Sequence, residues 1–146
     1  VSGAGCELCV LGDSSAWRQV AVTPHFTVLR VLDAQAFPAF YRVVWREHVA
    51  ELTDLAVPDR QRCMAAVAAV ESVLREGLRP FKVNLAALGN MVPHLHWHVI
   101  ARFEWDSHFP QPIWGAAQRP LDETRLSEIR QSLPALDERL RAQWAA

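Results

Sequence analysis

The sequence predicts an α+β domain with a mostly antiparallel sheet. Three observations carry that expectation. Four short runs are apolar and rich in β-branched or aromatic residues, one long stretch has apolar residues at helical spacing, and the chain closes on a charged segment with leucines at helical spacing. Strands, a long helix, more strands and a final helical segment therefore follow one another along the chain.

Taken in order, residues 10–19, with Gly12, Asp13, Ser14 and Ser15 together, read as a turn or loop. Residues 26–32 read as a strand, 33–38 as a connection and 40–45 as a second strand. The clearest helix spans 58–77. Its apolar positions Cys63, Val67, Val70, Leu74 and Leu78 are three or four residues apart, which places them on one face. Pro58 and Asp59 suit its first turn, and Gly77 and Pro80 bracket its stop. Residues 82–86 and 95–103 are further strands. Residues 106–120 hold three prolines and one glycine and read as an ordered surface arm. Residues 122–144 read as one helix, or two divided by Pro134.

A chain of 146 residues with 51% hydrophobic content suits a single domain over 1–146. It can bury roughly two thirds of its unfolded surface and needs no cross-link merely to fold. A net charge of −1 excludes a dominant electrostatic surface for nucleic acid. No apolar run approaches the length of about 18 residues that a membrane span requires. The opening Val1-Ser2-Gly3-Ala4-Gly5 has no basic or apolar leader pattern. Three cysteines, Cys6 and Cys9 as a pair and Cys63 alone, do not make a disulfide framework, so the expected compartment is the reducing cytoplasm. Cys63 reads as a small core residue on the helix face.

The segment that carries chemistry is Pro93-His94-Leu95-His96-Trp97-His98-Val99-Ile100, with three of the chain's six histidines at alternate positions. On a strand, His94, His96 and His98 share one face, while Leu95, Trp97, Val99 and Ala101 pack behind them. An imidazole row suits two chemistries. One is metal binding by the three rings. The other is nucleophilic and acid/base work, in which a neutral ring nitrogen attacks phosphorus while the second nitrogen is held by a hydrogen-bond acceptor.

His94-Leu95-His96-Trp97-His98-Val99-Ile100 resembles the signature of the histidine-triad (HIT) family. Asn84, Gly89 and Asn90 precede it as that family's Asn and Gly-Gln elements do, Leu32-Asp33 resembles its ribose-contacting strand end, and Val43 to His48 resembles its Pro-Lys-x-His segment. The resemblance covers residues 6–114, leaving 115–146 as a C-terminal helical extension. It implies a HIT-like five-stranded antiparallel sheet with one long helix and a C-terminal helical segment, commonly paired as a homodimer. It also implies a nucleotide hydrolase for dinucleoside polyphosphates or nucleoside phosphoramidates, working through a covalent nucleotidyl-histidine.

By that resemblance His96 is the nucleophile, His98 binds phosphate and assists the leaving group, and His94 supports His96 by hydrogen bonding. Asn84, Gly89 and Asn90 would meet phosphate, Asp33 the ribose, and Phe26 and Leu29 the base. Asn90 stands where the family has Gln, and Trp45 where it has Pro. A non-catalytic nucleotide-binding module and a metal-dependent hydrolase with the triad as ligands are the alternatives.

The resemblance further implies that Cys6 and Cys9, with His48 and His94, hold a structural zinc ion. The plainer reading is a pair of reduced thiols and a surface or helix-start His48. No organic cofactor is implied, and no membrane or specific nucleic acid is expected as partner. In the aromatic arm, Asp106 and His108 could pair, and Trp114 or His108 could shape a pocket; otherwise the arm packs on the sheet or across an interface.

Overall fold

The computed structural model describes residues 3–145. Val1 and Ser2, which open the segment without a leader pattern, and Ala146, which ends the expected extension, lie outside the described residues. Five strands form one sheet: β1 (Trp17–Val22), β2 (Phe26–Val31), β3 (Phe40–Trp45), β4 (Lys82–Ala86) and β5 (His96–Arg102). Their spatial order is β1-β2-β3-β5-β4, and every neighbouring pair is antiparallel. Two helices, α1 (Val57–Leu78) and α2 (Glu123–Gln143), complete the α+β architecture that the sequence predicts. No helix among the described residues is long and apolar enough to cross a membrane.

Strand β1 is the one the residue pattern does not locate, and its first three residues fall inside the expected loop of 10–19. Its pairing with β2 shifts register between Gln19 and Ala21, and such a bulge breaks the two-residue period that marks a strand. The turn itself is real: Ser14 Oγ accepts the amides of Ala16 and Trp17, and Asp13 accepts that of Gln19.

Helix α1 buries Cys63, Ala66, Val67, Val70, Val73 and Leu74, as its spacing requires. Cys63 is fully buried, and burial pushes its thiol up to about 11. Gly77 does not stop this helix. It lies within α1, and the stop is Arg79, whose left-handed φ of 50° forms the C-cap. A Cβ at residue 77 would collide with Leu136 Cδ2, so glycine there serves the close approach of α1 and α2.

Helix α2 is one helix, not two; Pro134 sits inside it, and the Asp122 side chain caps its start by accepting the Arg125 amide. Leu126, Leu133, Leu136 and Leu140 are buried. Asp137, on the same helix, accepts from Arg30 Nε at 3.0 Å and Tyr41 Oη at 2.7 Å, which ties α2 to β2 and β3. Burial and that carboxylate hold the Tyr41 phenol far above its ordinary range.

The strand register sorts the sheet into two faces. Phe26, Val28, Val43, Val83, Val99 and Ala101 point towards the helices and form the main core, together with Leu95 and, half-buried, Trp97. The opposite face is covered at two places. Leu8 lies over Leu29 and Val44, while Phe37 and Ile113 lie over Val31, Phe40 and Ile100. The strip between these covers holds Arg42, His96 and His98.

The arm after β5 is ordered by a buried ion pair. Arg102, only 2% exposed, donates to Asp106 through Nε at 2.9 Å and to the Gln111 carbonyl at 2.7 Å. Asp106 also accepts the amides of Phe103, His108 and Phe109. The ring of His108 does not pair with Asp106; its Nδ1 meets Ser107 Oγ instead.

Candidate functional site

The triad divides at its first member. His94 lies before β5 rather than on it, so the strand alternation does not place its ring beside the other two. Its ring is fully buried against the Cys6–Cys9 turn and His48. The expected row of three imidazoles is therefore a pair, His96 and His98, with ring centroids 5.0 Å apart.

Four ligand atoms converge at this first position: Cys6 Sγ, Cys9 Sγ, His48 Nδ1 and His94 Nδ1 all lie within 4.8 Å of one another. Each sulfur is 3.5 Å from His94 Nδ1, Cys9 Sγ is 3.2 Å from His48 Nδ1, and the two imidazole nitrogens are 3.1 Å apart. A tetrahedral zinc ion, with bonds of about 2.3 Å to sulfur and 2.0–2.1 Å to nitrogen, requires edges of roughly 3.5 Å for S···N and 3.3 Å for N···N. The donor set fits. His94 Nε2 donates to the Trp45 carbonyl at 2.6 Å, which leaves the Nδ1 lone pair free to ligate. Gly3 backs the turn, since a Cβ there would come within 2.8 Å of Cys9 Sγ.

The cluster is thus positioned to chelate a metal ion. Desolvation and the neighbouring Cys6 thiol raise the Cys9 thiol, a cost that a divalent cation reverses by stabilising thiolates. With four protein ligands the site is closed, which is the pattern of a structural metal. Of the triad, only His94 belongs to this set.

The second feature is an open cleft of about 350 Å³ on the sheet face away from the helices. His96, His98 and Arg42 line it from the sheet, Glu7 and Leu8 from the N-terminal segment, residues 88–92 from the loop before β5, and Trp114 from the arm. His96 Nδ1 donates to the His94 carbonyl oxygen at 2.6 Å. The acceptor is a carbonyl, so Nδ1 must carry the proton and Nε2 keeps its lone pair. The hydrogen bond between the two residues thus runs through the His94 backbone rather than its ring.

Burial lowers the basicity of His96, and Arg42 adds to that effect. His98 is pushed down to about 3 by burial first and by Arg42 and His96 next. Both rings are neutral imidazoles near neutral pH. His98 Nδ1 is buried without a hydrogen-bond partner.

Gly89 and Asn90 line this cleft, and Gly89 has a φ of 68°, which favours glycine. Trp114 does shape it, with its ring 5.2 Å from that of His98. Asn84 lies on the same sheet face, but its Oδ1 is taken by Arg102 at 2.8 Å. Asp33 is exposed beyond β2 and does not line the cleft, although its charge acts on Arg42.

Phe26 and Leu29 are corrections. Phe26 faces the helices and packs edge-on against Trp144, and Leu29 is sealed beneath Leu8. Neither side chain reaches the cleft. The lining residues that sequence reasoning missed are Arg42, Glu7, Leu8, Leu88 and Val92. Arg42 carried a signal, as the lone charge within the β3 run, at the parity of Phe40 and Val44.

Comparison with known proteins agrees with this geometry. A family model described as the HIT domain matches residues 18–105. No curated protein sequence matches the chain. Among solved structures, a histidine triad protein from Bradyrhizobium japonicum is 32% identical, with 83% of this chain and 90% of that one covered and a TM-score of 0.66. Another from Marinobacter aquaeolei is 29% identical, covering 86% and 92%, with a TM-score of 0.67. With the family model spanning more than half of its length, and the strand–helix order and paired imidazoles in place, the chain belongs to the HIT domain family.

Proposed function

We propose that this protein binds a nucleoside phosphate conjugate in the cleft and hydrolyses it, with His96 as nucleophile. The observation that carries the reading is the His96 Nδ1–H bond to the His94 carbonyl, which presents a neutral ring with its Nε2 lone pair free. Nε2 attacks the phosphorus bonded to the nucleoside. A P–N bond forms, the bond to the leaving group breaks, and the leaving group departs with the electron pair and takes up a proton. Water then attacks the same phosphorus, breaks the P–N bond and gives its proton to solvent, releasing a nucleoside monophosphate. Gly89, Asn90 and the ring of His98 line the same cleft, which supports them as the groups that meet phosphoryl oxygens.

Dinucleoside polyphosphates and nucleoside phosphoramidates are the candidate substrates. The test is His96→Ala assayed on both classes, with trapping of the adduct on wild-type protein. Loss of at least about 1,000-fold in turnover, and a phosphorus-bearing His96 in a digest, are expected for a removed nucleophile. Turnover equal to wild type would sink the assignment.

A second reading, nucleotide binding without turnover, is favoured by the unpartnered His98 Nδ1, because no protein group fixes the proton that a leaving group would need. Tight nucleotide binding with no cleavage on either substrate class would select it.

A further inference from the structure

We propose that Arg42 is the phosphate-gripping residue of the cleft, its terminal nitrogens pairing with non-bridging oxygens of the phosphoryl group seated over His96 and His98. The inference deepens the nucleotide reading above and rests on it. Three arginines of this sheet are removed from solvent to different degrees, and two are paired. Arg30 meets the carboxylate of Asp137, and Arg102 meets that of Asp106. The Arg42 side chain has no ion pair and no hydrogen bond among the described residues, and its Nε is buried without a partner. The ring face of Phe40 lies 5.4 Å from its guanidinium carbon, which steadies the plane without neutralising the charge.

A desolvated cation without a counter-ion is costly, so a chain that keeps one has a use for it. The position says which. Arg42 is the direct cross-strand partner of His98 and, among the described residues, the only Lys or Arg lining the cleft. Of its three nitrogens only Nε is buried and unpartnered, so the terminal pair is open to the cleft. That fork matches two oxygens of one phosphate. Glu7 at the rim and Asp33 beyond β2 act on Arg42 only through their fields, so a phosphate would be its first direct anionic contact.

The experiment is calorimetric binding of AMP, GMP, adenosine and guanosine to the full chain as wild type, Arg42→Met and Arg42→Lys. Wild type is expected to prefer each monophosphate to its nucleoside. Arg42→Met should weaken monophosphate binding by about 10- to 100-fold, the worth of a charge-assisted pair, while nucleoside binding stays within about twofold. Arg42→Lys, with the charge but not the fork, should fall between. A thermal melt no lower than wild type for Arg42→Met would show that the fold is kept. The assignment is overturned if wild type binds monophosphates no better than nucleosides. It is equally overturned if Arg42→Met binds monophosphates as wild type does, or loses both ligand types alike. A His96→Ala variant with undiminished turnover would overturn the nucleophile and leave this phosphate preference intact, so the two failures are told apart.

Discussion

His94 and His96 are joined by a hydrogen bond that runs from the ring of one to the backbone of the other, His96 Nδ1 to His94 O at 2.6 Å. The ring of His94 is meanwhile committed elsewhere, with Nε2 on the Trp45 carbonyl and Nδ1 in the Cys6–Cys9–His48 cluster. One residue thus holds the His96 ring by its carbonyl and contributes an imidazole to the metal-type site.

The four-ligand cluster predicts about one tightly held zinc ion per chain by elemental analysis of purified protein. Cys9→Ser should reduce occupancy to near zero, because it leaves Cys6, His48 and His94 and puts an unsuited neutral hydroxyl in the fourth position. The expected companion is a lower melting temperature, measured on wild type before and after chelation. Metal-free wild-type protein with an unchanged melt would contradict a stabilising role.

Gly77 predicts an unusual result for an alanine in a helix. Ala for Gly within a helix gains about 1 kcal/mol of propensity. At this position the new methyl group would press on the buried Leu136, and overpacking costs about 1–3 kcal/mol. Gly77→Ala should therefore be destabilising in urea titrations, by about 1 kcal/mol net. In a Leu136→Ala background the same change should be neutral or stabilising, and a double-mutant cycle reads the difference.

Asp106 predicts acid sensitivity of the arm. Burial alone would raise its carboxyl, but the hydrogen bonds and charge of Arg102 and the amide of Phe103 bring it below the ordinary 3.8. Its contribution to stability is therefore fully present above that ordinary value and is lost as pH falls through the lower folded value. Asp106→Asn should cost roughly 3–5 kcal/mol near neutral pH, because it strands buried Arg102. Its acid unfolding should also be shallower than that of wild type below pH 3.8. Parallel pH melts on both proteins check this.

His98 predicts the complementary behaviour of a group kept neutral. The unfolded chain takes up its proton near 6.5, whereas the native ring does so at about 3. Between those values the unfolded state binds more protons, so the stability linked to this ring falls as pH drops through that window. Nitrogen-detected NMR of the His98 ring should show no titration at pH 5. In Arg42→Met its midpoint should move up, since Arg42 is the second cause of the depression after burial.

Much of this was legible in the residues. The alternation of Leu95, Trp97, Val99 and Ala101 gives the buried face of β5, and the spacing of Cys63, Val67, Val70 and Leu74 gives that of α1. Both are periodic, and periodicity is what a sequence displays. The rest depended on where regular elements end. His94 shares the alternation in the sequence, but the strand starts at His96, so its ring takes another direction. Phe26 and Leu29 were plausible neighbours of the cleft until register placed one on the wrong face and Leu8 covered the other. Arg42 stood in a strand of core-like residues, and only the pairing of β3 with β5 sets it beside His98.

The Arg30–Asp137 pair has a consequence for anyone who would trim this chain. The family match ends at residue 105, yet Arg30, inside that stretch and only 11% exposed, finds its carboxylate 107 positions downstream. A fragment cut at the homology boundary would strip Leu133, Leu136 and Leu140 from the underside of the sheet and strand a cation there, so the smallest excisable unit is set by electrostatic closure rather than by kinship.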